Sequence, residues 1–313
     1  MKNYLFTLIM GLLSMISLNS CQKSATSAPS PNSIPTVSPT DDNDAENQFN
    51  DYWYSGKAEV SSYNLNQARY GELRNGKATL IFVTEPFSKS KQVKLDYPGR
   101  NSEDKVAVMK LNYVKKFLTG IYPYSMMLST FTPVDSYNYP NTLKVTMSNQ
   151  EWCGHVFTQM NLEKNNYQAN SFSYFESEGD QGFEVEKALL EDEIFNRIRL
   201  DYKALPVGKV KVVPGLFHTR LKHKNLKAQQ VDARLEEKGE KATYTVKYGN
   251  QRTLSVTFGL AFPHKILSWS ETSKGIGGKS LTTTAKLDKT LYIDYWTRNS
   301  NSDLYLRDSL NLQ

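Results

Sequence analysis

Residues 242–260 read Ala242-Thr243-Tyr244-Thr245-Val246-Lys247-Tyr248, then Gly249-Asn250, then Gln251-Arg252-Thr253-Leu254-Ser255-Val256-Thr257-Phe258-Gly259-Leu260. Ala242, Tyr244, Val246 and Tyr248 alternate with Thr243, Thr245 and Lys247. Leu254, Val256, Phe258 and Leu260 alternate with Thr253, Ser255 and Thr257. Side chains two apart share one face of an extended strand, so each run has one apolar face. A Gly-first, two-residue turn between two such runs predicts a β-hairpin with one face buried.

The same period recurs outward along the chain. Leu281, Thr283, Ala285 and Leu287 repeat it on the C-terminal side. Near the start of the body, Asn75-Gly76 sits between residues 68–74 and 77–84, a strong short hairpin signal. Thr79-Leu80-Ile81-Phe82-Val83 is apolar on both faces, as a central strand is. Further strands are expected over 58–65, 106–117, 143–148, 154–160, 167–175, 209–213 and 217–224. One amphipathic helix is expected over 184–199, with Val185, Leu189, Ile194, Phe195 and Ile198 toward one side. Glu184 and Glu186 fall in its first turns and Arg197 and Arg199 in its last, and Pro206 and Gly208 end it. The fold class is therefore mainly β: twisted or curved antiparallel sheets with one central helix. That helix would join two β-rich halves, 49–183 and 201–313.

The first twenty residues read as a leader rather than fold. Met1-Lys2-Asn3 is a short basic segment, and Tyr4 to Leu18 is apolar and too short to span roughly 30 Å of hydrocarbon. The run ends in Leu18-Asn19-Ser20-Cys21, which resembles a bacterial lipoprotein box. The resemblance implies cleavage before Cys21 and its acylation, an anchor worth about 0.8 kcal/mol per buried CH₂. Gln22-Lys23, with no Asp after the Cys, implies sorting to the outer membrane, on its periplasmic or outer face. Residues 21–48 then form a tether rich in Pro, Ser and Asp. Its composition cannot bury enough apolar surface to offset ordering. The β-rich body follows over 49–313.

Of 313 residues, 38 are Lys or Arg and 32 Asp or Glu; removal of the leader takes one lysine and leaves a weak positive charge. Nucleic acid is not an expected partner at that charge in this compartment. Two cysteines exclude a disulfide scaffold and a four-Cys zinc site. No metal or cofactor site is expected.

Glu151-Trp152-Cys153-Gly154-His155 is the sharpest local feature. With Cys21 acylated, Cys153 is the only thiol. A Cys near a His invites a nucleophile–base reading, but residues i and i+2 of a strand stand roughly 6–7 Å apart, too far for a thiol–imidazole bond. A packed core cysteine is the plainer expectation. Tyr122, Tyr124, Met126 and Met127 belong to an aromatic and Met-rich stretch suited to an apolar or glycan ligand or to core packing. Together with Trp152, Cys153 and His155 they form the candidate ligand site. Glu176-Ser177-Glu178-Gly179-Asp180 is read as a turn whose acids face a helix N-terminus. His218, Arg220, Lys222 and Lys224 form a basic stripe if 217–224 is a strand.

Several longer strings resemble an uncharacterised family of Gram-negative, Bacteroidota-type lipoproteins. They are Asp51-Tyr52-Trp53-Tyr54, Gln67-Ala68-Arg69-Tyr70-Gly71-Glu72, Thr119-Gly120-Ile121-Tyr122-Pro123-Tyr124-Ser125-Met126-Met127, Gln150-Glu151-Trp152-Cys153-Gly154-His155, Tyr174-Phe175-Glu176-Ser177-Glu178-Gly179-Asp180 and Leu281-Thr282-Thr283-Thr284-Ala285. Some members carry the label septum formation inhibitor Maf. True Maf proteins are nucleotide pyrophosphatases with a Ser-Pro-Arg-Arg type loop, which nothing here matches, so that activity is not expected. The segment around Phe262-Pro263-His264 resembles the curved sheets of periplasmic lipoprotein-carrier-like folds, whose concave face holds acyl chains. The resulting expectation is a lipid-anchored outer-membrane lipoprotein, non-enzymatic, that binds an apolar, lipid or glycan ligand or an envelope protein partner. The alternative is an envelope hydrolase or transferase using Cys153 or His155.

Overall fold

The computed structural model describes residues 40–99, 103–275 and 280–312. The leader 1–20, Cys21 and most of the tether lie outside the described residues. The tether expected to reach residue 48 gives way earlier to helix α1 (Thr40–Trp53). Phe49, Tyr52 and Trp53, spaced i, i+3, i+4, pack on Phe262, Tyr292 and Phe82.

From residue 58 the chain is mostly strand. In order these are β1 (Ala58–Arg69), β2 (Glu72–Ser88), the short β3 (Val93–Lys94), β4 (Lys105–Thr119), β5 (Tyr122–Pro133), β6 (Lys144–Glu151), β7 (Gly154–Leu162), β8 (Asn166–Ser173), β9 (Gln181–Glu186) and β10 (Leu189–Leu190). Then come β11 (Gly208–Val213), β12 (Gln229–Lys238), β13 (Lys241–Tyr248), β14 (Arg252–Gly259), β15 (Ile266–Lys274) and β16 (Ser280–Ile293). All belong to one 16-stranded sheet ordered β10-β11-β12-β13-β14-β15-β16-β1-β2-β4-β5-β6-β7-β8-β9, with β3 beside β2. The ladders are antiparallel except β10 with β11. The sheet is curved and unclosed, and its two edges, β9 and β10, are separated in sequence only by Lys187 and Ala188.

The two expected halves are therefore one sheet, joined by β1 pairing with both β16 and β2. The expected helix 184–199 begins only with a 3-10 turn at Glu191–Glu193 and becomes α-helical at Ile194, as α2 (Ile194–Asp201). Before it, Phe183 and Val185 alternate with Glu184 and Glu186, and pairing with β8 takes that stretch into the sheet. The strand expected over 217–224 is a second helix, α3 (Leu216–Lys222), closed by His223 at φ 50°. Asn75-Gly76 lies inside β2, not in a turn. The hairpin instead turns at Tyr70-Gly71, both at positive φ, the geometry of a type I′ turn. At Gly76 an added Cβ would stand 2.3 Å from the Lys116 carbonyl oxygen, so close strand approach is what needs the glycine there. The 242–260 hairpin forms, with a three-residue loop because Tyr248 pairs with Arg252.

Inward-facing side chains of nearly every strand join one core cluster with α2 and α3. Asn196 of α2 donates to the carbonyls of Met109 and Thr130 on the inner face, and Phe195 and Phe217 flank Tyr113 of β4. Arg199, fully buried, forks onto Glu59 of β1 at 2.8 and 2.7 Å. On the outer face, Leu310 and Leu312 cover Val60, Ile81 and Leu291. Helix α4 (Tyr305–Ser309) leads into that cover.

Candidate functional site

Alternation sets the inner wall of the site. In β6 and β7 it turns Met147, Val156 and Thr158 inward; in β9 it turns Phe183 and Val185 inward. Opposite them stand α3 and residues 223–228, which Pro214 and Gly215 swing inward from the end of β11. Gly215 leaves room at that corner for two carboxylates: a Cβ would lie 2.7 Å from Glu191 Oε1 and 2.9 Å from Asp192 Oδ1, so those side chains would have to move. Between wall and helix lies a cleft of about 760 Å³, within the roughly 300–1,000 Å³ typical of ligand sites. Met147, Val156, Phe183, Val185, Leu216 and Leu226 supply its apolar lining, and exposed Gln181, Lys224 and Asn225 stand at its mouth.

Glu178 organises the polar end. Arg220 donates to both of its oxygens at 2.8 and 2.6 Å, and His223 Nδ1 lies 2.7 Å from Oε1. Burial opposes ionisation of Glu178, but hydrogen bonds from Ser173 and His223 and the charge of Arg220 hold its pKa below the usual carboxylate range. The acidic turn thus receives the C-terminal turn of α3, with Arg220 and His223, not a helix N-terminus. The expected basic stripe is broken as well, because α3 sends His218 and Arg220 to different carboxylates.

The other side of α3 faces a buried charge cluster. Arg252 binds Glu191 through two guanidinium nitrogens and reaches Glu271 Oε1 through Nε at 2.7 Å. His218 Nδ1 is 2.7 Å from the same Glu271 oxygen. Burial would raise Glu271, yet Arg252 and His218 hold it well below its ordinary value. Burial pushes Asp192 up to about 7, against a hydrogen bond from the Leu216 N–H. Lys115, 3% exposed, has one long hydrogen bond among the described residues, to Gln67 Oε1 at 3.4 Å. Its ammonium lies over the rings of Tyr113 and Phe217. Burial pulls its pKa down to about 8. Lys115, Glu191, Asp192, His218 and Glu271 border a cavity of about 40 Å³, room for about two or three waters. Sequence reasoning missed this cluster. The available signal was Lys115 in register with inward Leu111, Tyr113 and Phe117 of β4.

The seven candidate ligand residues do not converge. Tyr124 and Met126 are core. Tyr124 stacks on Phe117 and bonds Arg69 and Tyr70. Met127 and His155 point outward from the convex face. Tyr122, Trp152 and Cys153 sit at hairpin ends beside one another, with the Tyr122 and Trp152 rings 6.3 Å apart. Cys153 is exposed in the β6–β7 turn, not packed in the core. The hydrogen bond and charge of Glu151 raise its thiol pKa, away from the thiolate that a nucleophile needs. Among the described residues no group of three or more His, Cys, Asp or Glu is placed to hold a metal ion. No protein-family model, curated protein or solved structure matches the chain.

Proposed function

We propose that the chain is a lipid-anchored, non-enzymatic outer-membrane lipoprotein whose curved sheet holds an amphiphilic envelope ligand in the cleft between β6–β9 and α3. The observation that carries this reading is the cleft of about 760 Å³, walled by Met147, Val156 and Phe183 and bordered at one end by Arg220, His223 and Glu178. Such a lining suits a molecule with an apolar part and a hydrogen-bonding head. The acylation box at Cys21 supports the anchor. The raised thiol of Cys153 and the outward His155 favour binding over an acyl-transfer or hydrolytic role.

The test pairs a ligand readout with an anchor readout. Protein extracted under native conditions is expected to retain lipid or glycolipid by mass spectrometry and to bind a fluorescent acyl probe. Ser171→Trp, which fills the cleft from β8, is expected to abolish probe binding. Equal binding by that variant rejects the cleft. Palmitate labelling lost in Cys21→Ser supports the anchor; labelling retained rejects it.

A further inference from the structure

We propose that the hairpin tips at the cleft-mouth end of the sheet form a surface that seats on a lipid bilayer. Strand register puts the β1–β2, β4–β5, β6–β7 and β8–β9 turns at the same end. Gly76 pairs with Phe117, Ser125 with Gln150, and Val156 with Ser173, each a few residues short of its turn. From these separate tips project Tyr70 at 57%, Ile121 at 80%, Trp152 at 67% and Tyr174 at 69% exposure. The tips brace one another. Tyr70 bonds Tyr124 at 2.9 Å, Trp152 lies beside Tyr122, and an added Cβ on Gly154 would strike the Tyr174 ring at 2.5 Å. The apolar surface continues onto the convex face through Phe157 and Phe172, whose rings stack 6.5 Å apart.

The chemistry selects lipid over an acidic or basic partner. Segments 69–74, 116–123, 150–155 and 172–180 carry three cations (Arg69, Arg74, Lys116) and five anions (Glu72, Glu151, Glu176, Glu178, Asp180), of which Glu178 is bound by Arg220. Arg74 is already paired with Glu72 at 2.7 Å. With Glu72 and Glu178 already paired, the projecting tips keep only a small negative excess, and their Trp, Tyr and Ile match the headgroup–acyl boundary, where amphipathic rings settle. Docked this way, the tips bring the mouth of the cleft to the bilayer surface.

The experiment uses the mature chain carrying Cys21→Ser, so that no acyl anchor contributes, with vesicles of phosphatidylcholine. The expected result is co-sedimentation that changes little with salt. Brominated acyl chains should quench Trp152 in a Trp296→Phe background, in which the remaining Trp53 and Trp269 are buried. Ile121→Asp with Trp152→Asp should lower binding by roughly tenfold or more. The single change Ile121→Asn should lower it less, in case the double variant fails to fold. Tyr137→Asp, at a fully exposed loop on the opposite end, should leave binding unchanged. Absent binding, binding indifferent to the tip changes, or self-association through the tips without vesicles overturns the proposal. Acyl-probe binding and its loss in Ser171→Trp are read in solution, so failure of the cleft and failure of the docking surface give different outcomes.

Discussion

Replacing Lys115 by Met tests the reading of the interior most directly. The ammonium is buried, its one described hydrogen bond is long, and its neighbours on two sides are aromatic faces. Burial lowers its pKa from 10.5 to about 8, which at about 1.36 kcal/mol per unit is a penalty of about 3 kcal/mol. The folded value lies below the unfolded one. Below pH 8 both states hold the proton and the penalty is complete. Between pH 8 and 10.5 the folded chain releases its proton first and stability climbs by up to about 1.4 kcal/mol per pH unit. Lys115→Met keeps the volume and removes the charge, but also the attraction of Glu271 and Glu191. The variant should therefore be more stable than the parent by about 1–3 kcal/mol at pH 7. That advantage should shrink toward pH 10. Urea unfolding of both proteins across pH 6–10, read as a difference so that other titrations cancel, measures it. A variant destabilised by more than about 1 kcal/mol, with a difference that stays flat with pH, would show the ammonium to be well paired and refute the argument.

Two further outcomes follow from other sites. Arg199→Met strands Glu59 in the core with the hydroxyls of Tyr52 at 2.6 Å and Ser61 at 3.4 Å as its hydrogen bonds among the described residues and should cost about 3–5 kcal/mol in urea unfolding, with much of it recovered in Arg199→Met/Glu59→Leu. Exposed Cys153 should react with maleimide in the folded protein, and Glu151→Gln, which removes the group raising its pKa, should speed that reaction at pH 7.5; equal rates would show that Glu151 does not govern the thiol.

What was readable in the chain was whatever depends on period two. The 242–260 hairpin and the mainly β class emerge from alternation, because a sheet face enforces it locally, and the 79–83 strand emerges from apolarity on both faces, as suits the middle of a sheet. Segment 217–224 alternates equally well, yet forms α3. Eight residues are too few for periodicity to separate the two, and packing inside the sheet decided. Residues 184–186 erred in the opposite direction: a helical spacing drawn through Val185, Leu189 and Ile194 overrode a short alternation that β8 completes. The site depends on partners far apart in sequence. Glu178 meets Arg220 across 42 residues and Glu191 meets Arg252 across 61, and no local pattern announces such pairs. Charged side chains ordinarily face water, so a buried cluster of them is the arrangement that reading by hydropathy passes over.

The pairing of β1 with β16 has a kinetic corollary. Ala58 meets Ile293 in the middle of the sheet, while the free edges belong to strands that are sequence neighbours. Cut between Lys187 and Ala188 and rejoined at its ends, the chain would run almost as a plain meander, each strand laid beside its predecessor. As it stands, the central seam waits until the last strand has arrived. The folding chain must keep both flanks of that seam unmated until then, so closing a loop of more than two hundred residues comes late in assembly.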